Sequence, residues 1–341
     1  MGNEFLDACR GQKTAFTPIW LMRQAGRYQA EYMAIKARYS FMEMCQTPEI
    51  ATQVTMLPVN QFEVDAAILF ADILLILEPL GIGFAFVKDQ GPRIERPIRE
   101  PNDVDRMASS IDVHESMGYV LQAIKMVRSE LSGRIPLIGF AGAPFTLASY
   151  VIEGGGSKQY LHAKRFMYSD PGAFNVLMTK LTDATIAYLN AQIGAGAQAV
   201  QVFDSWVGCL SPSDYEVHVQ PHMQRLFANL DKSVPSIHFG TGNPALYPAL
   251  AAAGGDVVGL DWRVDLGTQR AALDNRPVMG NLDPGYLIAP RNVLEQAAQR
   301  VLDSAGGQPG HIFNLGHGIF PEVAPDQVKA LVDYVHQASQ R

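Results

Sequence analysis

Residues 172–204, GAFNVLMTKLTDATIAYLNAQIGAGAQAVQVFD, carry the pattern that decides the fold. A helical pattern covers Gly172–Ile193, and Gly194 stands just past its end, where a left-handed cap is wanted. Ala199–Phe203 is then a short apolar run that finishes on Asp204. Ala184 to Phe203 carries no charge, yet Asn190, Gln192, Gln198, Gln201 and the Gly194-Ala195-Gly196 stop make it an interior piece of a soluble protein, not a membrane span.

The same unit recurs along the chain. Candidate strands lie at Thr17–Met22, Asp65–Phe70, Pro136–Phe140, Ala199–Phe203, Ser236–Phe239, Val257–Leu260, Pro277–Met279 and His311–Asn314. Helical segments lie at Pro48–Phe62, His114–Leu131, Pro144–Glu153, Gly172–Ile193, Pro212–Leu230, Ala245–Ala253, Leu266–Leu273 and Asn292–Ser304, with Gly254 and Gly306 also just past helix ends. This alternation predicts an α/β fold of the (β/α)8 TIM-barrel class, one domain over residues 1–341. A doubly wound sheet would need a glycine fingerprint right after its first strand, and none is present. Val87 to Pro101, with three prolines and several charges, reads as an irregular or hairpin insertion.

Composition narrows the function classes. The 341 residues include 27 Lys+Arg and 34 Asp+Glu, a balance of −7 that excludes a broadly basic nucleic-acid-binding surface but says nothing of one local pocket. Hydrophobic residues at 48% and charged ones at 18% belong to a large packed core. Cys9, Cys45 and Cys209 form neither a C-x-x-C pair nor a metal rhythm, so a reducing, cytoplasmic compartment is expected. The acidic start, Met1-Gly2-Asn3-Glu4, shows no secretory signal. The uncharged stretch Ile135 to Ile152 is broken by Pro136, Gly139, Gly142 and Pro144, and no membrane is expected as a partner.

In a barrel of this class the reactive face lies at the C-terminal ends of the strands. The residues there are Arg23-Gln24-Ala25-Gly26-Arg27-Tyr28, Ala71-Asp72, Ala141-Gly142-Ala143-Pro144, Asp204-Ser205-Trp206, Gly240-Thr241-Gly242-Asn243, Asp261-Trp262-Arg263, Gly280-Asn281-Leu282-Asp283 and Gly316-His317-Gly318. Each has an ordinary alternative: Asp72, Asp204, Asp261 and Asp283 are also the residue type that caps a following helix. Arg23 and Arg27 flank a glycine directly after a strand, which favours a loop aimed at an anion over an ion-pairing helix face. His317 between two glycines is less expected of a packed histidine. Glu153-Gly154-Gly155-Gly156-Ser157-Lys158 follows a helix instead of opening one, so it reads as a flexible loop near the mouth, not a phosphate cradle. His238 is followed two residues on by Gly240 where a His-x-Cys zinc pair would need a cysteine, so no metal is expected. Ser205 lacks the glycines of a nucleophile elbow.

Pro18-Ile19-Trp20-Leu21-Met22-Arg23-Gln24-Ala25-Gly26-Arg27-Tyr28 resembles the N-terminal signature of the uroporphyrinogen decarboxylases. The resemblance continues through Asp65 to Leu74, Gly139 to Leu147, the Glu153 to Ser157 loop, Phe203-Asp204-Ser205-Trp206, Gly259 to Trp262, Gly280 to Pro284 and Asn314 to Gly318. It implies a homodimeric, cofactor-free and metal-free barrel enzyme converting uroporphyrinogen III to coproporphyrinogen III by decarboxylating its acetate arms. It also implies that Arg23 and Arg27 bind substrate carboxylates and act in catalysis, with Gln24, Ala25 and Gly26 lining the substrate beside them. Asp72 would accept hydrogen bonds from the pyrrole N–H groups, and Tyr150, Ser205 and His317 would contact the arms or the reacting ring. The general acid stays open among Arg23, Arg27, Tyr150 and Asp72 acting through water. Departures from the family pattern fall at Gln29 to Lys36 (Met33 among them), at Asn60-Gln61 and at Ala71, and bear on the outer carboxylate contacts. The competing readings are a corrinoid-linked methyltransferase, which would need a thiolate-bearing zinc site, and a porphyrinogen-binding protein without turnover.

Overall fold

The structure, a computed structural model, describes residues 3–87 and 91–341. Its strands are β1 Ala67–Ile68, β2 Phe84–Val87, β3 Gly91–Ile94, β4 Leu137–Gly142, β5 Ala199–Asp204, β6 Ser236–Gly240, β7 Val257–Gly259, β8 Val278–Leu282 and β9 His311–Leu315. Seven of them form one parallel sheet in the order β1-β4-β5-β6-β7-β8-β9, each strand beside the next in sequence, with the helices on the outside. This is the expected (β/α)8 class. β2 and β3 form a separate antiparallel pair, the insertion expected near Val87; residues 88–90 between them lie outside the described residues.

The first predicted strand, Thr17–Met22, is corrected to a single parallel bridge between Ile19 and Phe313. It still fills the eighth position. The Phe313 amide donates to the Pro18 carbonyl at 2.8 Å, and the Asp65 amide donates to the Ile19 carbonyl at 2.8 Å, so the segment lies between β9 and the approach to β1. The Trp20 N–H reaches the Phe313 carbonyl at 3.4 Å, and side chains take other backbone donors of the segment. The Ile19 N–H goes to Asp65 Oδ2 at 2.7 Å, Leu21 N–H to Gln24 Oε1 at 3.1 Å and Met22 N–H to Asn314 Oδ1 at 3.0 Å. The second predicted strand shrinks for a similar reason: only Ala67 and Ile68 pair with β4, and the Phe70 N–H goes to Thr55 Oγ1 at 2.9 Å. Much of the ladder is replaced here by side-chain partners.

Alternation along the strands separates two cores. Ile138, Ala199, Ile237, Val257, Met279 and Ile312 cluster with Trp20 and with Phe5, Leu6 and Cys9 of the short helix Glu4–Cys9. These are mostly early strand residues, so this cluster fills the barrel and the helix plugs its N-terminal end. Leu137, Val200, Val202 and Val258 pack outward against the helices.

Helices Pro48–Gln61, Pro144–Glu153, Pro171–Ala195 and Pro212–His218 start on a proline, whose missing N–H costs nothing there. The long helix runs through Gly194 and stops at Gly196 with φ +119°, one glycine later than expected. Gln192 holds that last turn: its side-chain amide exchanges two hydrogen bonds of 2.9 Å with the Phe140 backbone. The expected helix Pro212–Leu230 is broken at Val219, just before Pro221, which has no N–H to continue it. Among the described residues no helix is long and apolar enough to cross a membrane.

Candidate active site

The open end of the barrel is built first from the loop after the Ile19 bridge. Arg23 takes a left-handed backbone, φ +61°, which a side chain other than glycine adopts only when its surroundings demand it. The demand comes from Gln24. Its buried amide accepts from Leu21 N–H and donates to the Ala66 carbonyl at 3.1 Å, stapling the loop to the start of β1. Tyr28 donates its hydroxyl to the Gln24 carbonyl at 2.5 Å. Gln24 is therefore a brace whose amide oxygen and nitrogen are both engaged, Ala25 and Gly26 form the half-buried turn, and Arg23 and Arg27 stand exposed on either side. The stem of Arg23 lies on Gly318, where an added Cβ would come within 2.7 Å of Arg23 Cγ. That packing gives the glycine after His317 a steric reason.

Asp72 follows β1 and is half-buried. One oxygen accepts from the Leu74 N–H at 2.8 Å; the other has no hydrogen-bond partner among the described residues. Burial pushes its carboxyl up to about 6, against the pull of that amide and of the Arg23 guanidinium. Burial likewise lifts the Tyr150 phenol to about 12, with Asp72 adding to the rise and Arg23 opposing it. Burial lowers His317, and the charges of Arg23 and Arg263 lower it further. One guanidinium is thus felt at Asp72, Tyr150 and His317 together, so residues from three distant parts of the chain share a single site. Ser205, directly after β5, is half-buried, and its neighbour Trp206 stacks on Tyr150 with ring centroids 3.8 Å apart. The Arg27 charge is felt at Tyr32, whose ring meets Phe70 edge-on at 6.0 Å. The stack of Trp206 on Tyr150 has no spacing signal in the sequence, because the partners lie on different strand–helix units.

The other aspartates divide by role. Asp283 accepts from the Gly285 N–H at 2.8 Å and caps the short turn that follows, the ordinary alternative. Asp204 is sealed beneath the mouth, where Thr146 Oγ1 donates to it at 3.2 Å and His238 Nε2 lies 3.8 Å away. Asp261 is buried and accepts from Thr241 Oγ1 at 2.8 Å, Gly242 N–H at 2.7 Å and Arg263. The glycine-rich loop is pinned, not free: Gly155 bridges Arg93, and the Ile94 N–H donates to the Gly154 carbonyl at 2.9 Å. Among the described residues no group of three His, Cys, Asp or Glu side chains could hold a metal ion.

The family described as uroporphyrinogen decarboxylase (URO-D) matches residues 2–338. The chain is 56% identical over 342 residues to the uroporphyrinogen decarboxylase of Carboxydothermus hydrogenoformans, covering 99% of this chain and 97% of that one. It is 52% identical over 343 residues to that of Trichlorobacter lovleyi, covering all of both. Among solved structures, a methyltransferase from Methanosarcina mazei superposes with TM-score 0.83 over 98% of each chain at 18% identity. A B12-independent methionine synthase from Shewanella sp. W3-18-1 superposes at 0.58 and 10% identity over 96% of this chain and 97% of its own. At such identities those two share the fold. The sequence match spans nearly every residue, and the chain belongs to the uroporphyrinogen decarboxylase family.

Proposed function

We propose that this protein decarboxylates the acetate arms of uroporphyrinogen III to methyl groups, giving coproporphyrinogen III in porphyrin and haem biosynthesis. The observation that carries the reading is Asp72: a carboxylate held half-buried at the barrel mouth, with one oxygen unclaimed, in the field of Arg23 and beside Tyr150. A pyrrole acetate loses carbon dioxide readily once the ring is protonated at carbon, because the ring cation then takes up the electron pair of the breaking C–C bond. Each arm consumes one proton and releases one carbon dioxide. Asp72, accepting hydrogen bonds from the ring N–H groups, stabilises that cation more than the neutral ring, which lowers the barrier and not merely the dissociation constant. With a pKa of about 6 the carboxyl is ionised at neutral pH.

Arg23 and Arg27 bind and orient substrate carboxylates, with Ala25 and Gly26 shaping the loop between them, while Tyr150, Ser205 and His317 contact the arms or ring. His317 is held neutral at pH 7 by its lowered pKa, so it offers a hydrogen bond without adding charge. The whole chain acts as one catalytic domain, in the cytoplasm, as a homodimer, without cofactor or metal. Anaerobic incubation with uroporphyrinogen III tests the reading: stepwise decarboxylated products ending in coproporphyrinogen are expected, and their absence overturns it. Sedimentation of the purified protein tests the dimer.

A further inference from the structure

Arg23 is not the only guanidinium at His317. Arg263, four residues beyond β7, has its Nη1 2.7 Å from Asp261 Oδ2 and its Cζ 4.1 Å over the Trp262 ring. Asp261 is itself fixed, accepting from Thr241, Gly242 and the Arg263 N–H, while its own N–H donates to the Tyr247 hydroxyl at 2.7 Å. Trp262 meets His317 edge-on at 6.3 Å, and Gly316 lies against it so closely that a Cβ there would sit 2.8 Å from indole Cε3. Arg263, Trp262, Gly316, His317, Gly318 and Arg23 therefore form one continuous wall of the mouth. The Arg263 side chain is 43% exposed, whereas that of its partner Asp261 is 1% exposed. Asp261 engages one of the five guanidinium donors, and the open side of the fork is left to solvent.

We infer that Arg263 is a further substrate-binding residue, which takes a carboxylate arm at the β7 side of the mouth and helps set specificity for the highly carboxylated substrate. The inference rests on the decarboxylase reading above. Arg263 is already paired, so its contribution is a charge-assisted hydrogen bond more than net charge, and a moderate effect follows. Trp262 and Asp261 pre-orient the fork, which limits the entropy lost on binding.

Steady-state decarboxylation of uroporphyrinogen III by wild type, Arg263→Gln, Arg263→Lys and Thr241→Val tests it. Arg263→Gln is expected to raise KM about tenfold, with a smaller fall in kcat, and Arg263→Lys to recover only part because it lacks the planar fork. Thr241→Val removes one hydrogen bond to Asp261 but keeps those from Gly242 N–H, Arg263 N–H and the guanidinium, so the fork stays seated and KM is expected within about twofold of wild type. Unchanged KM in Arg263→Gln, or an equal KM rise in Thr241→Val, overturns the inference while wild-type turnover keeps the reading. No turnover by wild type defeats both.

Discussion

Asp72 lies four residues past β1 and Asp204 ends β5; both are pushed toward the protonated form by burial, yet their surroundings differ. Asp72 follows β1, in the arc where much of the ladder has been given up to side-chain partners, and keeps one oxygen open toward the mouth. Asp204 ends β5, in the regular arc, where Phe203 and Asp204 pair with Phe239 and Gly240. There it is closed in by Thr146 and His238. His238 Nδ1 lies 3.1 Å from the Leu250 carbonyl, which can only accept, so Nδ1 carries a hydrogen, and Nε2 faces Asp204 at 3.8 Å. Burial raises the Asp204 carboxyl against the pull of His238 and of the Thr146 hydroxyl. The difference teaches that a raised carboxyl points to function only where an oxygen is open to a substrate.

The largest expected effect separates the two through activity. Asp72→Asn should lower kcat by about 100 to 1,000-fold, the range for losing one preorganised transition-state contact, with the fold intact by circular dichroism. Asp204→Ala should instead destabilise by about 2–3 kcal/mol in denaturant unfolding, because it leaves the Thr146 hydroxyl hydrogen without its acceptor and a cavity beside His238, both buried.

The pH dependence sharpens the contrast. The folded-state pKa of Asp72, about 6, lies above its ordinary 3.8, so the folded protein holds that proton more tightly than the unfolded chain. Stability from this group is complete below pH ~4 and is lost as pH rises to ~6. Asp72→Asn should consequently be more stable than wild type by about 1–3 kcal/mol at pH 7.5, with the gain vanishing at pH 4, as compared by unfolding at the two values. The ionised carboxylate is the active form, so wild-type kcat/KM should rise with pH through about 6. Smallest of all, Asp204→Asn should cost under about 1 kcal/mol and leave kcat within a few fold, since an amide can donate toward His238 and accept from Thr146. A loss of activity in Asp204→Asn as large as that of Asp72→Asn would break the comparison.

The regular arc is the more legible half. Ala199–Phe203 and His311–Asn314 are found as strands to within a residue because their apolar runs match ladders that do form. Thr17–Met22 has the same apolar character, yet its donors find Asp65, Gln24 and Asn314, which lie 3 to 292 residues away along the chain. Local pattern cannot anticipate such partners. The same holds in the site. The post-strand positions of Arg23, Asp72, Ser205 and His317 are readable, whereas Gln24 as a brace, the stack of Trp206 on Tyr150 and the seat of Arg263 on Trp262 are not.

What the sequence determined by itself is the alternation of strand and helix, which places the chemistry at one end of a barrel, and a set of motifs dense enough to assign the family. Apolar periodicity and residue order are local properties, so they survive without the third dimension. Only the tertiary structure decided that Asp72 keeps an oxygen open at the mouth while Asp204 is sealed, why Arg23 adopts a left-handed backbone over Gly318, and that a second guanidinium flanks His317. Those outcomes depend on burial and on hydrogen-bond partners brought together from separate strand ends, and a carboxylate's solvation is fixed by what surrounds it, not by what precedes it in the chain.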